Sequence, residues 1–229
     1  SALLAATQGA WPEAEQEFLA AETYFHTHAN HAMAKAVSAR RGLTRFAAGN
    51  FDGARTDLLP AGIFSIAAQS PGAGPCERVI TMMSGLDDGF GGDPDPIPYR
   101  SPSFGAERSS QFDTRNRDLG VTVSFPLPPV RICSGQLHLR MRRDPEDEGT
   151  TGDAILVGAA PFHKSPFPPL QRNLWAAFPG ARDTVVTLDI GPETFANVEV
   201  TYAGMPMASL DVYAGEDTDF DFFKLILFY

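Results

Sequence analysis

The stretch Val121-Thr122-Val123-Ser124-Phe125-Pro126-Leu127 carries an apolar side chain at every second position. Successive side chains of a strand point to opposite faces, so this is the pattern of a strand with one buried and one wet face. The alternation returns in Leu137, Leu139 and Met141, in Val186, Leu188 and Ile190, and in Val198, Val200 and Tyr202. Further strand candidates cover 78–84, 153–159 and 208–214. The segment FDFFKLILFY at 220–229 is apolar on both faces apart from Asp221 and Lys224. Such a strand belongs at the centre of a sheet or at a covered edge, because an exposed one would template aggregation. About eight strands punctuated by proline and glycine predict an antiparallel β-sandwich of jelly-roll type.

Toward the N-terminus the period-two pattern stops. Before residue 70 alanine is abundant and Pro12 and Pro60 are the only prolines, whereas proline, glycine, aspartate and β-forming residues dominate afterwards. The expected fold class is therefore α+β in two domains, helical over 1–70 and an antiparallel β-sandwich over 71–229. The 229-residue chain carries a net charge of -10, and all but one unit of it falls after residue 70. That charge repels phosphate backbones and anionic membrane surfaces, which argues against nucleic acid as a partner. No apolar run is long enough for a transmembrane segment. Beginning at Ser1 with neither an initiator Met nor a secretion signal, the chain reads as soluble and trimmed.

The helical half contains an internal repeat. Gly9-Ala10-Trp11-Pro12-Glu13-Ala14 aligns on Gly49-Asn50-Phe51-Asp52-Gly53-Ala54, and Phe18 on Leu58 and Ala21 on Ala61 follow at the same offset. Glycine permits a left-handed helix exit, the aromatic fills the wedge between helices, and alanine lets them approach closely. The spacing predicts helices over 2–8, 11–28, 30–48 and 51–67. These residues resemble the tetratricopeptide repeat family in its longer variant, over about the first 65 residues. The resemblance implies protein–protein interaction through a helical face, with Trp11, Phe18 and Phe51 as its contact residues. A hairpin that only packs on its neighbour is the plainer alternative. His26, His28 and His31 form a cluster whose imidazoles suit a metal only if the chain turns there, and otherwise mark a solvated helix end.

Cys76 and Cys133 are too few for a disulfide scaffold or a four-thiolate zinc site. Paired, they would close a loop worth roughly 4 kcal/mol of chain entropy; unpaired, they would pack as small apolar groups. The segments LDDGFGGDPDP (86–96), TGDAILVG (151–158) and GEDTDFDFFKLILFY (215–229) make the second half similar to secreted jelly-roll modules of the carbohydrate-binding type. In such modules early and terminal acids hold a structural calcium ion, which would carry over to Asp87, Asp88, Asp217, Asp219 and Asp221. The last three lie two apart, so an extended chain turns them to one side, and calcium takes several hard oxygens. Equally, acids keep loop tips solvated. A sugar would stack on aromatic rings, for which Trp175, Tyr99 and Phe104 are the candidates.

The sequence carries no G-x-S-x-G elbow, Walker loop, H-E-x-x-H or post-strand G-x-G-x-x-G. Glu146 and Glu148 are paired carboxylates, but they fall in a hydrophilic run between strands. The organisation points to a non-enzymatic interaction protein, a scaffold or accessory subunit whose partners are other proteins. Two further classes stay open: a glycan-binding accessory module with structural calcium, and a hydrolase using the acids of the second half. A disulfide and a calcium ion would both favour a periplasmic or secreted location.

Overall fold

The computed structural model describes residues 2–61, 65–69, 74, 76–91, 121–143, 154–159, 170–173, 183–195, 200–202, 205–207, 209–214 and 218–229. Helices α1 (Ala2–Thr7), α2 (Trp11–Thr27), α3 (His31–Ala47) and α4 (Phe51–Leu58) come first, and the 3₁₀ turn Leu59–Ala61 follows. Three turns of one design join them. Gly9, Ala29 and Gly49 each take positive φ, and the next amide reaches back five residues, as in Asn30 N–H to Phe25 O at 2.8 Å and Asn50 N–H to Arg45 O at 2.8 Å. Asn30 and Asn50 then cap the following helices, their side chains accepting from Met33 N–H at 3.2 Å and Gly53 N–H at 3.1 Å. The fourth helix is shorter than its apolar spacing predicts. Pro60 has no N–H to continue the ladder and its ring crowds the preceding turn, so α-helix gives way at Leu58. The expected continuation to 67 is replaced by strand β1 (Ser65–Gln69).

From β1 onward the regular elements among the described residues are strands, apart from the short α5 (Pro192–Phe195). A five-stranded antiparallel sheet orders β1, β2 (Val79–Gly85), β11 (Thr218–Phe228), β4 (Ser134–Arg143) and β7 (Asp183–Ile190). A four-stranded sheet orders β3 (Val121–Pro126), β10 (Ser209–Ala214), β5 (Ala154–Ala159) and β6 (Leu170–Asn173). The pair β8 (Val200–Tyr202) and β9 (Met205–Met207) stands apart. The apolar strand β11 lies between β2 and β4, which answers the need of its two apolar faces for cover.

Alternation decides what each strand buries. Leu137, Leu139 and Met141 of β4 are buried while Gln136, His138, Arg140 and Arg142 face the other way, and β7 buries Val186, Leu188 and Ile190. These side chains join Val121, Val123 and Phe125 of β3, Ile155 and Val157 of β5, and Val212 of β10 in one buried cluster. The same cluster takes in Ala39, Leu43 and Phe46 of α3 with Ala54 and Leu58 of α4, so it crosses the boundary expected near residue 70. A smaller cluster of Ala6, Ala14, Phe18 and Val37 holds α1 and α2 to α3.

Helix α3 is consequently buried nearly all round, and its Arg41 and Arg45 are paired inward. Asp57 on α4 accepts a two-pronged bond from Arg41 at 2.9 and 2.8 Å and a third from Arg45 at 2.9 Å. Arg41 also pairs with Glu22, and Arg45 with Glu15, so two arginines stitch α2, α3 and α4 together. The hydrogen bonds to Asp57 push the Arg41 guanidinium above its ordinary pKa. Close approach here depends on Gly42, where a Cβ would lie 2.7 Å from Leu58 Cγ and 3.1 Å from Ala54 O.

Candidate functional site

Of the sequence-predicted acids, Asp87, Asp88, Asp219 and Asp221 converge at one end of the five-stranded sheet, and two arginines meet them there. Antiparallel register sets Asp219 of β11 opposite Arg142 of β4, and Phe222 opposite Arg140. Between them the ladder slips by one residue, leaving Asp221 as the extra residue of a β-bulge. Asp221 is 0% exposed and aims its carboxylate at the turn after β2. Gly89 N–H donates to Asp221 Oδ2 at 3.1 Å, while Asp221 Oδ1 is buried with no hydrogen-bond partner among the described residues. Burial pushes the Asp221 carboxyl above the ordinary carboxylate value, Asp88 adds to this, and the Gly89 and Phe90 amides with Arg140 oppose it.

Arg140 sits at the centre. Its Nε and Nη2 donate to the two oxygens of Asp183 at 3.0 Å each, and its Nη1 donates to Asp87 Oδ1 at 2.9 Å. Asp221 Oδ2 lies 3.6 Å from the same Nη1. One planar guanidinium thus faces carboxylates from β7, from β11 and from the turn, which a fork of five donors can serve together. Arg142 donates to Asp219 Oδ2 at 3.0 Å and lies 4.3 Å over the Phe90 ring. Phe90 holds φ at +62° beside Gly89 at +76°, so the turn is fixed in a left-handed conformation that a phenylalanine adopts only under constraint.

This geometry bears on the calcium expectation. Asp87, Asp219 and Asp221 are brought to one end of the sheet with Asp88, whose Oδ1 accepts from Gly91 N–H at 3.2 Å. Asp217 lies outside the described residues. The positive charge among these carboxylates is supplied by Arg140, which donates to Asp87 Oδ1 and Asp183 Oδ2, and by Arg142, which donates to Asp219 Oδ2. No group of three or more His, Cys, Asp or Glu among the described residues is placed to hold a metal ion. Arg140, Asp183 and Phe90 were not among the predicted site residues. The two-residue spacing of Arg140 and Arg142 on the wet face of β4 was a usable signal, but their partners depend on strand register.

The remaining predicted residues are scattered. Trp175, Tyr99, Phe104, Glu146 and Glu148 lie outside the described residues. Cys76 and Cys133 are joined by a disulfide, their Cα atoms 5.6 Å apart, across the end of β11. Of the predicted contact residues, Phe18 is 4% exposed and spent on the core between α2 and α3, so it is no surface contact. Trp11 is half-buried against the same cluster. Phe51 is 53% exposed and packs edge-on to Phe46. His26, His28 and His31 are all exposed around the turn at Ala29, and His28 stacks on Tyr24. No helix among the described residues is long and apolar enough to cross a membrane. No protein-family model matches the chain, and no curated protein matches it.

Proposed function

We propose that the chain is a non-enzymatic interaction module, a scaffold or accessory subunit in which tetratricopeptide-like hairpins and a jelly-roll-type β-sandwich share one core. The two sheets contribute to the same buried cluster, which supports their facing one another as the layers of a sandwich. Because α3 is enclosed by α2, α4 and the strands, the helical surface left for a partner is the outer side formed by α1, α2 and α4.

The observation that carries this reading is where apolar surface stays exposed. Of the large hydrophobic residues most exposed among the described ones, Leu4, Leu19, Tyr24, Phe51 and Leu59 lie on the helical half, against Leu86 and Val185 elsewhere. Phe51 and Leu59 lie eight residues apart across α4 and the turn that follows it, and each is at least half exposed. A monomer gains nothing from such exposure, whereas an interface fills its centre with aromatic and aliphatic side chains. The test is association in extracts of cells that make the protein, followed by sizing and crosslinking. The native chain is expected to migrate in a discrete complex that the Phe51→Asp and Leu59→Asp variants lose while melting normally. Migration at the monomer position, unchanged by either variant, would refute the reading.

A further inference from the structure

We propose that the Cys76–Cys133 disulfide is a reversible redox clamp, opened in the folded protein by an external dithiol that attacks Cys76. Its position makes it a clamp. Cys76 precedes β2, Cys133 precedes β4, and the end of β11 passes between them. Tyr229 N–H donates to Arg78 O at 3.0 Å, Arg78 N–H to Tyr229 O at 3.3 Å, and Cys133 N–H to Phe228 O at 2.7 Å. Both cysteine-bearing segments therefore grip the end of the central strand, at Phe228 and at Tyr229 just after it, and the covalent bond fixes the two grips to each other.

Three features favour opening without unfolding. Cys76 is exposed whereas Cys133 is half-buried, so a reagent in solution reaches the Cys76 sulfur first. Cys76 also holds φ at +67°, a left-handed conformation that costs a side-chain-bearing residue free energy and relaxes once its tether is cut. Finally, neither cysteine belongs to the buried cluster that runs through Ile80, Leu137, Leu139, Phe223, Leu225 and Leu227, so the sheet keeps its core when the bond opens. Exposed and strained disulfides are the labile ones, while bonds packed in a core resist exchange.

The exchange balances as follows in atoms and electrons. A thiolate of the dithiol attacks Cys76 Sγ, the bond to Cys133 Sγ breaks, and Cys133 leaves as a thiolate that takes up a proton. The reagent's second thiol then displaces Cys76, which likewise ends as a thiol. The protein disulfide has gained two electrons and two protons, and the dithiol has been oxidised to its own disulfide.

Dithiothreitol is the probe. Oxidised protein is held in native buffer with dithiothreitol, quenched with iodoacetamide, weighed intact and followed by amide hydrogen exchange. Both cysteines are expected to alkylate without denaturant, melting to stay cooperative, and exchange at Arg78, Cys133 and Tyr229 to rise about tenfold or more while Leu139 and Phe223 hold. The double variant Cys76→Ser, Cys133→Ser is expected to reproduce the reduced pattern. Alkylation that requires denaturant, unchanged exchange at those three amides, or loss of cooperative melting in the double variant would each overturn the clamp.

Discussion

Replacing Gly42 by alanine sets two effects of opposite sign against each other. Alanine in place of glycine inside a helix stabilises by about 1 kcal/mol, because the unfolded chain loses freedom and the helix loses none. Against this, the new methyl would stand 2.7 Å from Leu58 Cγ, 2.9 Å from Asp57 Cβ and 3.1 Å from the backbone oxygen of Ala54. Three contacts on α4, one of them backbone, cannot be relieved by a rotamer change, so α3 and α4 must separate. Overpacking of this kind costs about 1–3 kcal/mol. Separation also stretches the bonds from Arg41 and Arg45 to Asp57 at 2.8 to 2.9 Å, in a place from which water is excluded. Net destabilisation of about 2 kcal/mol is therefore expected, a fall in Tm of roughly 4–8 °C for a chain of this size. Urea denaturation followed by circular dichroism measures it. Gly53→Ala supplies the comparison, since the three atoms nearest its Cβ, all at 3.0 Å, belong to the side chains of Arg45 and Asn50 and none to the backbone. If Gly42→Ala proved as stable as Gly53→Ala, the close α3–α4 contact would be disproved.

Asp57→Ala leaves two guanidinium groups facing each other without their shared carboxylate, and a loss of about 3–5 kcal/mol is expected in the same urea experiment. Phe223→Ala opens a cavity at the fully buried centre of β11 and should cost about 3–5 kcal/mol by the same measurement. For Asp221 the sign runs opposite to that of an ordinary paired acid. Its folded-state value is raised above 3.8, so the folded chain binds this proton more readily than the unfolded one, and stability falls as pH rises through the raised value. Asp221→Asn should remove that slope, and an unchanged pH profile of stability would contradict it. Arg140→Lys keeps the charge but loses the fork that serves Asp183 and Asp87 together, so faster amide exchange at Gly89 is expected.

Much of the secondary structure was readable because local rules suffice for it. Helices 2–7, 11–27 and 31–47 follow from an apolar spacing and from turn residues whose conformational needs are local. The strands at 134–143 and 183–190 follow from a period of two, and that at 218–228 from a run apolar on both faces. The middle helix turn fell at residue 29, between the helices expected over 11–28 and 30–48; alanine is a poor marker of the positive φ found there, whereas Asn30 beside it is a strong cap. The shortness of α4 was legible in Pro60, which the apolar spacing around it overrode. Strands β1, β6 and β9 have five residues or fewer, too short for periodicity to announce them. At the acidic end of the sheet, the carboxylates could be listed but not their partners. Asp87 and Arg140 are 53 positions apart and Arg142 and Asp219 77 apart, and only register and the bulge at Asp221 make them neighbours. Likewise Phe18 is an aromatic on an amphipathic helix, and nothing local says whether the stripe meets a partner or another helix of its own chain.

The central physical claim is that α3 and α4 are buried with the strands in one continuous core. Native-state hydrogen exchange under low denaturant measures this most directly. The account predicts that amides at Leu43 and Phe46 open with the same free energy and the same denaturant dependence as those at Leu139 and Phe223, because all four residues leave water together. Exchange of Leu43 and Phe46 through a separate, cheaper opening, with the sheet still protected, would contradict it.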